Sequence, residues 1–357
     1  MAKSTSHSNN FGLLRLTFAV CVIVSHSFEI IDGDRSREPL TRLFGTVSLG
    51  DLGVSGFFVA SGYLITQSFE TTPTVLSYIW KRILRIYPGF IAASLVCLMV
   101  VAPFSGADMA DLLGIGAVKS LIRIVLLARP SLPGAFSEQP IPALNGSMWT
   151  IAYEFRCYVL LAILGLLGVL RRRKTFLAIG VATLLLSAFS SIDFNPPSVL
   201  HDLLGTLRSS TRFDSLFFSG ALFYLYRDKV HFSNVGAAVA LPTLTVSLLS
   251  AQVASLAIPV LGGYLIFWFS FLSNTERLNS INRSTDISYG VYLYAWPVQM
   301  LLVRFIDGIS PLSVFLFSTF FSVVLAYLSW CLIEKPFLSL KGASFVAVSS
   351  NRENKFS

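Results

Sequence analysis

The chain has 357 residues, 54% of them hydrophobic and 13% charged, with a formal net charge of +8 and a mean hydropathy of +0.69. Soluble domains carry about 25% charged residues, and no stretch of ordinary composition long enough for a soluble domain remains between the apolar runs. A soluble enzyme is therefore excluded, as is one anchor carrying a soluble domain. The pattern predicts an all-α, polytopic transmembrane bundle of about ten helices, with one membrane domain over 1–345 and a short polar tail over 346–357.

Spans are expected near 11–31, 45–68, 83–104, 147–170, 175–192, 212–226, 232–250, 253–273, 285–305 and 311–333. The first has the length of a secretory signal. It lacks a small-residue cleavage site before Asp32–Asp34 and holds Arg15 and His26, so it reads as a retained helix. The second contains Gly53-Val54-Ser55-Gly56-Phe57-Phe58-Val59-Ala60-Ser61-Gly62-Tyr63. Its small residues suit either close helix packing or the wall of a substrate channel.

The third span begins with Trp80-Lys81-Arg82-Ile83-Leu84-Arg85-Ile86-Tyr87-Pro88. Arg82 and Arg85 lie one turn apart and are expected at a helix N-terminus, where unpaired N–H groups also favour anions. Phosphates of a cytosolic ligand fit there, because arginine grips them bidentately; anionic lipid headgroups are the simpler alternative. The connection 105–146 is long, with an amphipathic or re-entrant centre (112–128) and prolines at 130, 133, 140 and 142. Loops of that length are usually functional, so a lid over an acceptor is expected.

The fourth span opens Ser147-Met148-Trp149-Thr150-Ile151-Ala152-Tyr153-Glu154-Phe155-Arg156. With the N-terminus inside, the cytoplasmic connections hold fourteen lysines and arginines against nine outside. This matches the positive-inside rule and puts both termini in the cytoplasm. The excess positive charge is thereby read as membrane orientation, not nucleic-acid binding. Cys21, Cys97, Cys157 and Cys331 lie in apolar runs without metal-like spacing and read as packing residues.

Ionisable groups inside hydrocarbon cost several kcal/mol and so mark function. Arg15 and His26 are eleven residues apart, three turns on one face and about 16 Å along the axis. Glu154 is expected about 10 Å below the outer surface, level with His26, where a carboxylate can orient an imidazole base. Competing pairings are His26 with Glu29 at i+3 and Glu154 with Arg156. Arg15 has the alternative of snorkelling to the interface.

Together these stretches resemble the acyltransferase family 3 of ten-helix integral membrane proteins, over residues 11 to 340. Arg15 and His26 resemble its Arg-x10-His pair, and Ser55-Gly56-Phe57-Phe58 through Tyr63 its second-helix signature. Arg82-x-x-Arg85 resembles its basic pair, and Trp149-Thr150 through Glu154 its Trp–Glu element. Ile287-Ser288-Tyr289-Gly290-Val291-Tyr292-Leu293 and Ile333-Glu334-Lys335-Pro336 follow in the family's order. Two departures stand out. Ala295 precedes Trp296-Pro297 where many relatives have histidine, and only a short basic tail follows Pro336 where some append a hydrolase-like domain.

The resemblance implies an O-acetyltransferase of the bacterial inner membrane, with no bound cofactor or metal. Its cytosolic donor would be acetyl-CoA or a related acyl-CoA, held at Arg82, Arg85 and Arg15. Its acceptor would be a sugar hydroxyl of a surface polysaccharide, O-antigen or lipid-linked oligosaccharide. His26 would act as base or acyl carrier and Glu154 as its orienting partner. The rival class is a transporter or flippase, which paired broken helices and inverted repeats would favour; the sequence displays neither.

Overall fold

The computed structural model describes residues 9–189, 205–272, 276–282 and 284–341. Among them the secondary structure is helical, without strands. Each of the ten expected spans contains a helix. In chain order the long elements begin with α1 (Phe11–Asp32). The short α2 (Pro39–Phe44) follows, then α3 (Leu49–Thr71) and α4 (Val75–Val96). The loop helix α5 (Ile115–Val125) comes next. It is followed by α6 (Trp149–Leu166), α7 (Arg173–Phe189) and α8 (Leu207–Leu225). The chain then forms α9 (Asn234–Ser247), α10 (Ala251–Leu272), α11 (Ser288–Phe305) and α12 (Pro311–Ser339). Among the described residues, six of these (α1, α3, α4 with its extension to Phe104, α6, α10 and α12) are long and apolar enough to cross a membrane.

Local chemistry sets the helix starts. Ser48 and Asp51 form a reciprocal capping box on α3, and Thr74 caps α4 by accepting from the Ser77 N–H at 3.2 Å. Thr206, Ser233 and Ser310 cap α8, α9 and α12 in the same way, each satisfying an orphan donor of the first turn. The Thr74 cap moves one expectation. Helix α4 begins eight residues before the expected span, so Arg82 and Arg85 sit two and three turns inside it, not at its N-terminus. Free backbone N–H groups therefore take no part in any anion site there. Lys3, Arg283 and the tail 346–357 lie outside the described residues, as does the end of the 175–192 span.

The centre of the bundle is where α3 crosses α8 and α1. A Cβ on Gly62 would stand 1.9 Å from the Phe217 carbonyl oxygen, and one on Gly220 would stand 1.9 Å from that of Val59. The two backbones thus touch reciprocally through their glycines, the small-residue packing that lets helices associate inside a bilayer. Gly53 packs likewise on the Phe18 carbonyl, and Gly56 receives the Phe18 ring. Around these crossings Phe58 stacks on Phe213 at 4.3 Å, and Phe11, Tyr63, Phe267 and Phe271 form an aromatic cluster. The outer faces are apolar: Leu312, Leu316, Phe320 and Leu332 of α12 are exposed, as lipid contact requires. All four cysteines are free thiols.

Gly220→Ala should lower the thermal unfolding midpoint of the detergent-solubilised protein, because its methyl group has no room at the crossing and overpacking costs about 1–3 kcal/mol. Gly262→Ala, whose Cβ would find its nearest neighbour at 3.8 Å, should leave the midpoint unchanged. Equal midpoints for the two variants would contradict this view of the crossing.

Candidate active site

The site is organised by a carboxylate just before α11. Arg85 Nη2 of α4 donates to Asp286 Oδ2 at 2.6 Å, and Arg15 Nη2 of α1 lies 3.0 Å from the same oxygen. The other oxygen, Oδ1, accepts from Ser288 Oγ at 2.6 Å and from Asn282 Nδ2 at 3.0 Å. Asn282 adopts φ +57°, a left-handed conformation that asparagine tolerates better than most residues. From there Nδ2 also donates to the Gly12 carbonyl at 3.0 Å, and Oδ1 accepts from the Ile287 N–H at 2.8 Å. Gly12 must be a glycine here, since a Cβ would stand 2.7 Å from the Ile281 carbonyl oxygen. The start of α1 and the start of α11 are thus clamped together around Asp286.

A second carboxylate closes the cluster. The last turns of α12 widen into a π-helical segment, Trp330–Glu334, a distortion common at functional sites. Glu334 is left 2% exposed, with Oε2 3.8 Å from Arg85 Nη1. Arg85 therefore lies between two carboxylates, with the Tyr289 ring 5.7 Å from its guanidinium.

Arg82 is engaged differently. It donates to Ser68 Oγ at 3.3 Å, and its guanidinium lies 5.7 and 5.9 Å from the Tyr78 and Tyr158 rings. Its Nε and the Nε of Arg15 are buried without a hydrogen-bond partner, so donors remain for an anionic ligand.

These arginines face a cavity of about 150 Å³ between α1, α3, α4, α6 and α11, lined by Arg15, Ser61, Arg82, Arg85, Thr150, Glu154, Tyr158, Ser288, Tyr289 and Tyr292 among others. Clefts that bury drug-sized ligands occupy roughly 300–1,000 Å³. This one is sized for the reactive end of a larger molecule. Glu154 Oε1 accepts from Tyr158 Oη at 2.5 Å and from Ser61 Oγ at 3.1 Å, so the carboxylate sits in the cavity wall satisfied by hydroxyls.

Four of the five residues singled out in the sequence (Arg15, Arg82, Arg85 and Glu154) line this cavity. His26 lies next to it, 6% exposed, edge-on to Trp296 with ring centroids 4.8 Å apart. The expected His26–Glu154 pairing is not formed. The carboxylate beside the imidazole is Glu29, with Oε2 3.8 Å from His26 Nε2; Arg35 holds that same oxygen at 2.9 Å. The residue of the fourth span that meets the imidazole is Ser147, its Oγ 3.5 Å from Nδ1. Ser147 precedes Glu154 by seven residues, about 10 Å of helix rise, which separates the two levels. Arg156 does not pair with Glu154 either: it donates to the Ala152 carbonyl at 3.1 Å and lies 3.8 Å over the Tyr153 ring.

Ser147 lies between His26 and the cavity, its hydroxyl toward the imidazole and its backbone carbonyl toward Tyr292. Tyr292 Oη donates to the Ser147 carbonyl at 2.8 Å and contacts Thr150 Oγ1 at 2.7 Å. Asp286 and Glu29 are the acids that the sequence reading missed as ligands of Arg15, Arg85 and His26. Glu29 appeared only as an i+3 alternative. Asp286 directly precedes the Ile287-Ser288-Tyr289-Gly290 stretch, and its one sequence signal is a lone acid at the edge of an apolar span.

A family model described as an acyltransferase domain matches residues 9–331. The chain is 29% identical over 345 residues to a protein of Shigella phage Sf6 named O-acetyl transferase, covering 93% of this chain and 96% of that one. It is 27% identical over 364 residues to Nodulation protein 10 of Rhizobium leguminosarum bv. viciae, covering 95% of each. No solved structure matches it significantly. The chain accordingly belongs to the acyltransferase family 3 of multi-pass membrane proteins and is an acyltransferase.

Proposed function

We propose that the protein transfers an acetyl group from acetyl-CoA, or a related acyl-CoA, to a sugar hydroxyl of a surface glycan. The acceptor class is O-antigen, exopolysaccharide or a lipid-linked oligosaccharide. The protein works from the bacterial inner membrane, with ten spanning helices and both termini in the cytoplasm. The observation that carries this reading is one cavity lined by three arginines, two of them with a buried Nε that has no partner, with an imidazole beside it across Ser147. The name of the phage relative supports acetyl transfer to oxygen.

In this mechanism the donor enters from the end of α4 that carries Lys81 and Arg82. Its phosphates take up the free donors of Arg82 and Arg15, which together with Glu154 and the tyrosines fix the thioester end in the cavity. Arg85 is a positioning residue: Asp286 and Glu334 hold it. The acceptor comes from the opposite end, beneath the 105–146 connection. His26 Nδ1 takes the proton of the sugar hydroxyl as its oxygen attacks the thioester carbonyl. The C–O ester bond forms, the C–S bond breaks, and the departing CoA thiolate receives the proton from the imidazolium. Glu29 offsets the positive charge on the ring in between. General-base catalysis of this kind contributes about 10²–10⁴-fold.

The deciding measurement uses liposomes holding the purified protein, acetyl-CoA labelled in the acetyl group, and native glycan. Wild type should build alkali-labile glycan ester; His26→Ala, equally well inserted, should lose nearly all of it. Near-native transfer by that variant would remove His26 from the mechanism. Glu29→Gln should slow transfer less than His26→Ala while leaving donor affinity intact; an unchanged rate would mean that Glu29 does not assist.

Asp286→Ala leaves two half-buried guanidiniums without their shared counter-charge. Breaking a fully buried pair costs about 3–5 kcal/mol, and the partial exposure here reduces that, so the variant should melt at lower temperature and transfer poorly, with Asp286→Glu partly restoring both. A wild-type melting curve for Asp286→Ala would show that the clamp contributes nothing.

Burial and the neighbouring Arg85, Arg82 and Lys81 lower Lys341 to about 8. The lysine is charged below that pH and neutral above it. We place Lys341, on which the charges of Arg85 and Arg82 act, near the donor's phosphates; donor KM should then rise as pH passes through 8, and Lys341→Met should flatten that rise, while identical profiles would separate Lys341 from donor binding.

A further inference from the structure

The arginine-lined cavity has two chemically different ends, and the register of its helices puts them in order. On α3 its lining runs from Val54 and Phe57 to Leu64 and Ile65, a rise of about 16 Å. The Ile65 end lies by Arg82, which donates to Ser68 one turn past Leu64. The Phe57 end lies by Tyr292 of α11, whose ring meets that of Phe57, and by Thr150 of α6, which contacts the Tyr292 hydroxyl. His26 stands past this second end. Its neighbours Ser147 and Trp296 come three residues before Thr150 and four residues after Tyr292.

The end toward His26 is lined by side chains held in place. The Phe57 ring is braced edge-on from two helices, by Phe18 of α1 at 5.6 Å and by Tyr292 of α11 at 5.9 Å. Phe18 is in turn pressed on the α3 backbone, since a Cβ on Gly56 would stand 2.5 Å from its ring. Tyr292 is tied by its hydroxyl, which donates to the Ser147 carbonyl at 2.8 Å and contacts Thr150 Oγ1 at 2.7 Å. Neither ring can turn aside without losing contacts on a neighbouring helix. The whole cavity measures about 150 Å³, room for roughly one benzene-sized group. A thioester with a methyl group occupies most of that space, and each further methylene has to press on Phe57.

We propose that Phe57, braced by Phe18 and Tyr292, is a specificity-determining residue that restricts the donor to short acyl groups, acetyl before propionyl and butyryl. The thioester carbonyl then stops at the His26 end, and the acyl chain points at the Phe57 ring. This selection deepens the acyl-transfer reading and rests on it for the donor's orientation, with the phosphates at the guanidiniums and the acyl group away from them.

The test is calorimetric titration of acetyl-, propionyl- and butyryl-CoA into the full-length protein in neutral detergent, without acceptor. Wild-type affinity should fall about tenfold or more with each added methylene, the discrimination an apolar pocket gives. Phe57→Ala should bring the butyryl-CoA and acetyl-CoA affinities together, and the milder Phe57→Leu should narrow the gap. Leu64→Ala enlarges the same cavity seven residues further along α3, about 10 Å toward the arginines, and should keep the wild-type ranking. Equal affinities in the wild type, or binding of none of the three, would overturn the proposal. So would a folded Phe57→Ala protein that keeps the wild-type ranking, or a Leu64→Ala protein that also loses it. Transfer of labelled acyl groups to glycan, measured alongside, separates the two readings. Ranked binding with no transfer from any donor would sink acyl transfer and keep the selection by Phe57. Transfer from acetyl- and butyryl-CoA at equal rates and affinities would do the reverse.

Discussion

The shared carboxylate of Asp286 is the interaction on which the site depends. Arg15 and Arg85 come from helices that each bury apolar faces, and two guanidiniums this close repel unless a counter-charge lies between them. Asp286 supplies it, and its own position is fixed by Ser288, Asn282 and the Gly12 carbonyl. The bond therefore ties the start of α1, the middle of α4 and the start of α11 into one unit. Glu334 adds a fourth segment from the π-helical end of α12. A buried ion pair gains little stability over a well-packed apolar core. Its value here is placement, since it leaves Arg82 and the Nε of Arg15 with donors still open.

The glycine crossings determine where the cavity can be. Because Gly62 and Gly220 let α3 and α8 touch backbone to backbone, the neighbouring Ser61 reaches Glu154 and Tyr158 on α6. A bulkier crossing would push α3 toward α6 and fill the space in which the arginines face Glu154. The packing reading of the small-residue stretch in the second span holds. Gly53, Gly56 and Gly62 pack against neighbouring helices, and Ser61, one residue away, lines the cavity wall.

On this framework α6 divides the labour by face. Seven residues separate Ser147, beside His26, from Glu154, deep in the cavity. The residues between them alternate between the cavity and the cleft that Arg156 lines. One helix thereby borders the arginine-lined cavity on one side and a second cleft on the other. Arg156 points away from Glu154 because its position on the helix faces Tyr153 and the cleft.

Much of this protein was legible in the sequence because membrane helices announce themselves by composition. Long apolar runs fixed the class and the approximate spans, and the cost of burying charge singled out Arg15, His26, Arg82, Arg85 and Glu154 before any coordinates. What the sequence could not give were the partners. A depth estimate puts His26 and Glu154 level, but the imidazole meets Ser147, two turns and about 10 Å nearer the start of α6, and has Glu29 as its acid. Composition likewise places Arg82 at the start of a span, whereas the Thr74 cap starts the helix two turns earlier. Asp286 stands alone in the sequence, 201 residues from Arg85, and only the folded chain joins them. The sequence by itself determined which charges interrupt apolar helices, because that is read from composition residue by residue. Only the tertiary structure decided which of them meet, because meeting depends on the rotation and crossing of helices, which small-residue contacts set.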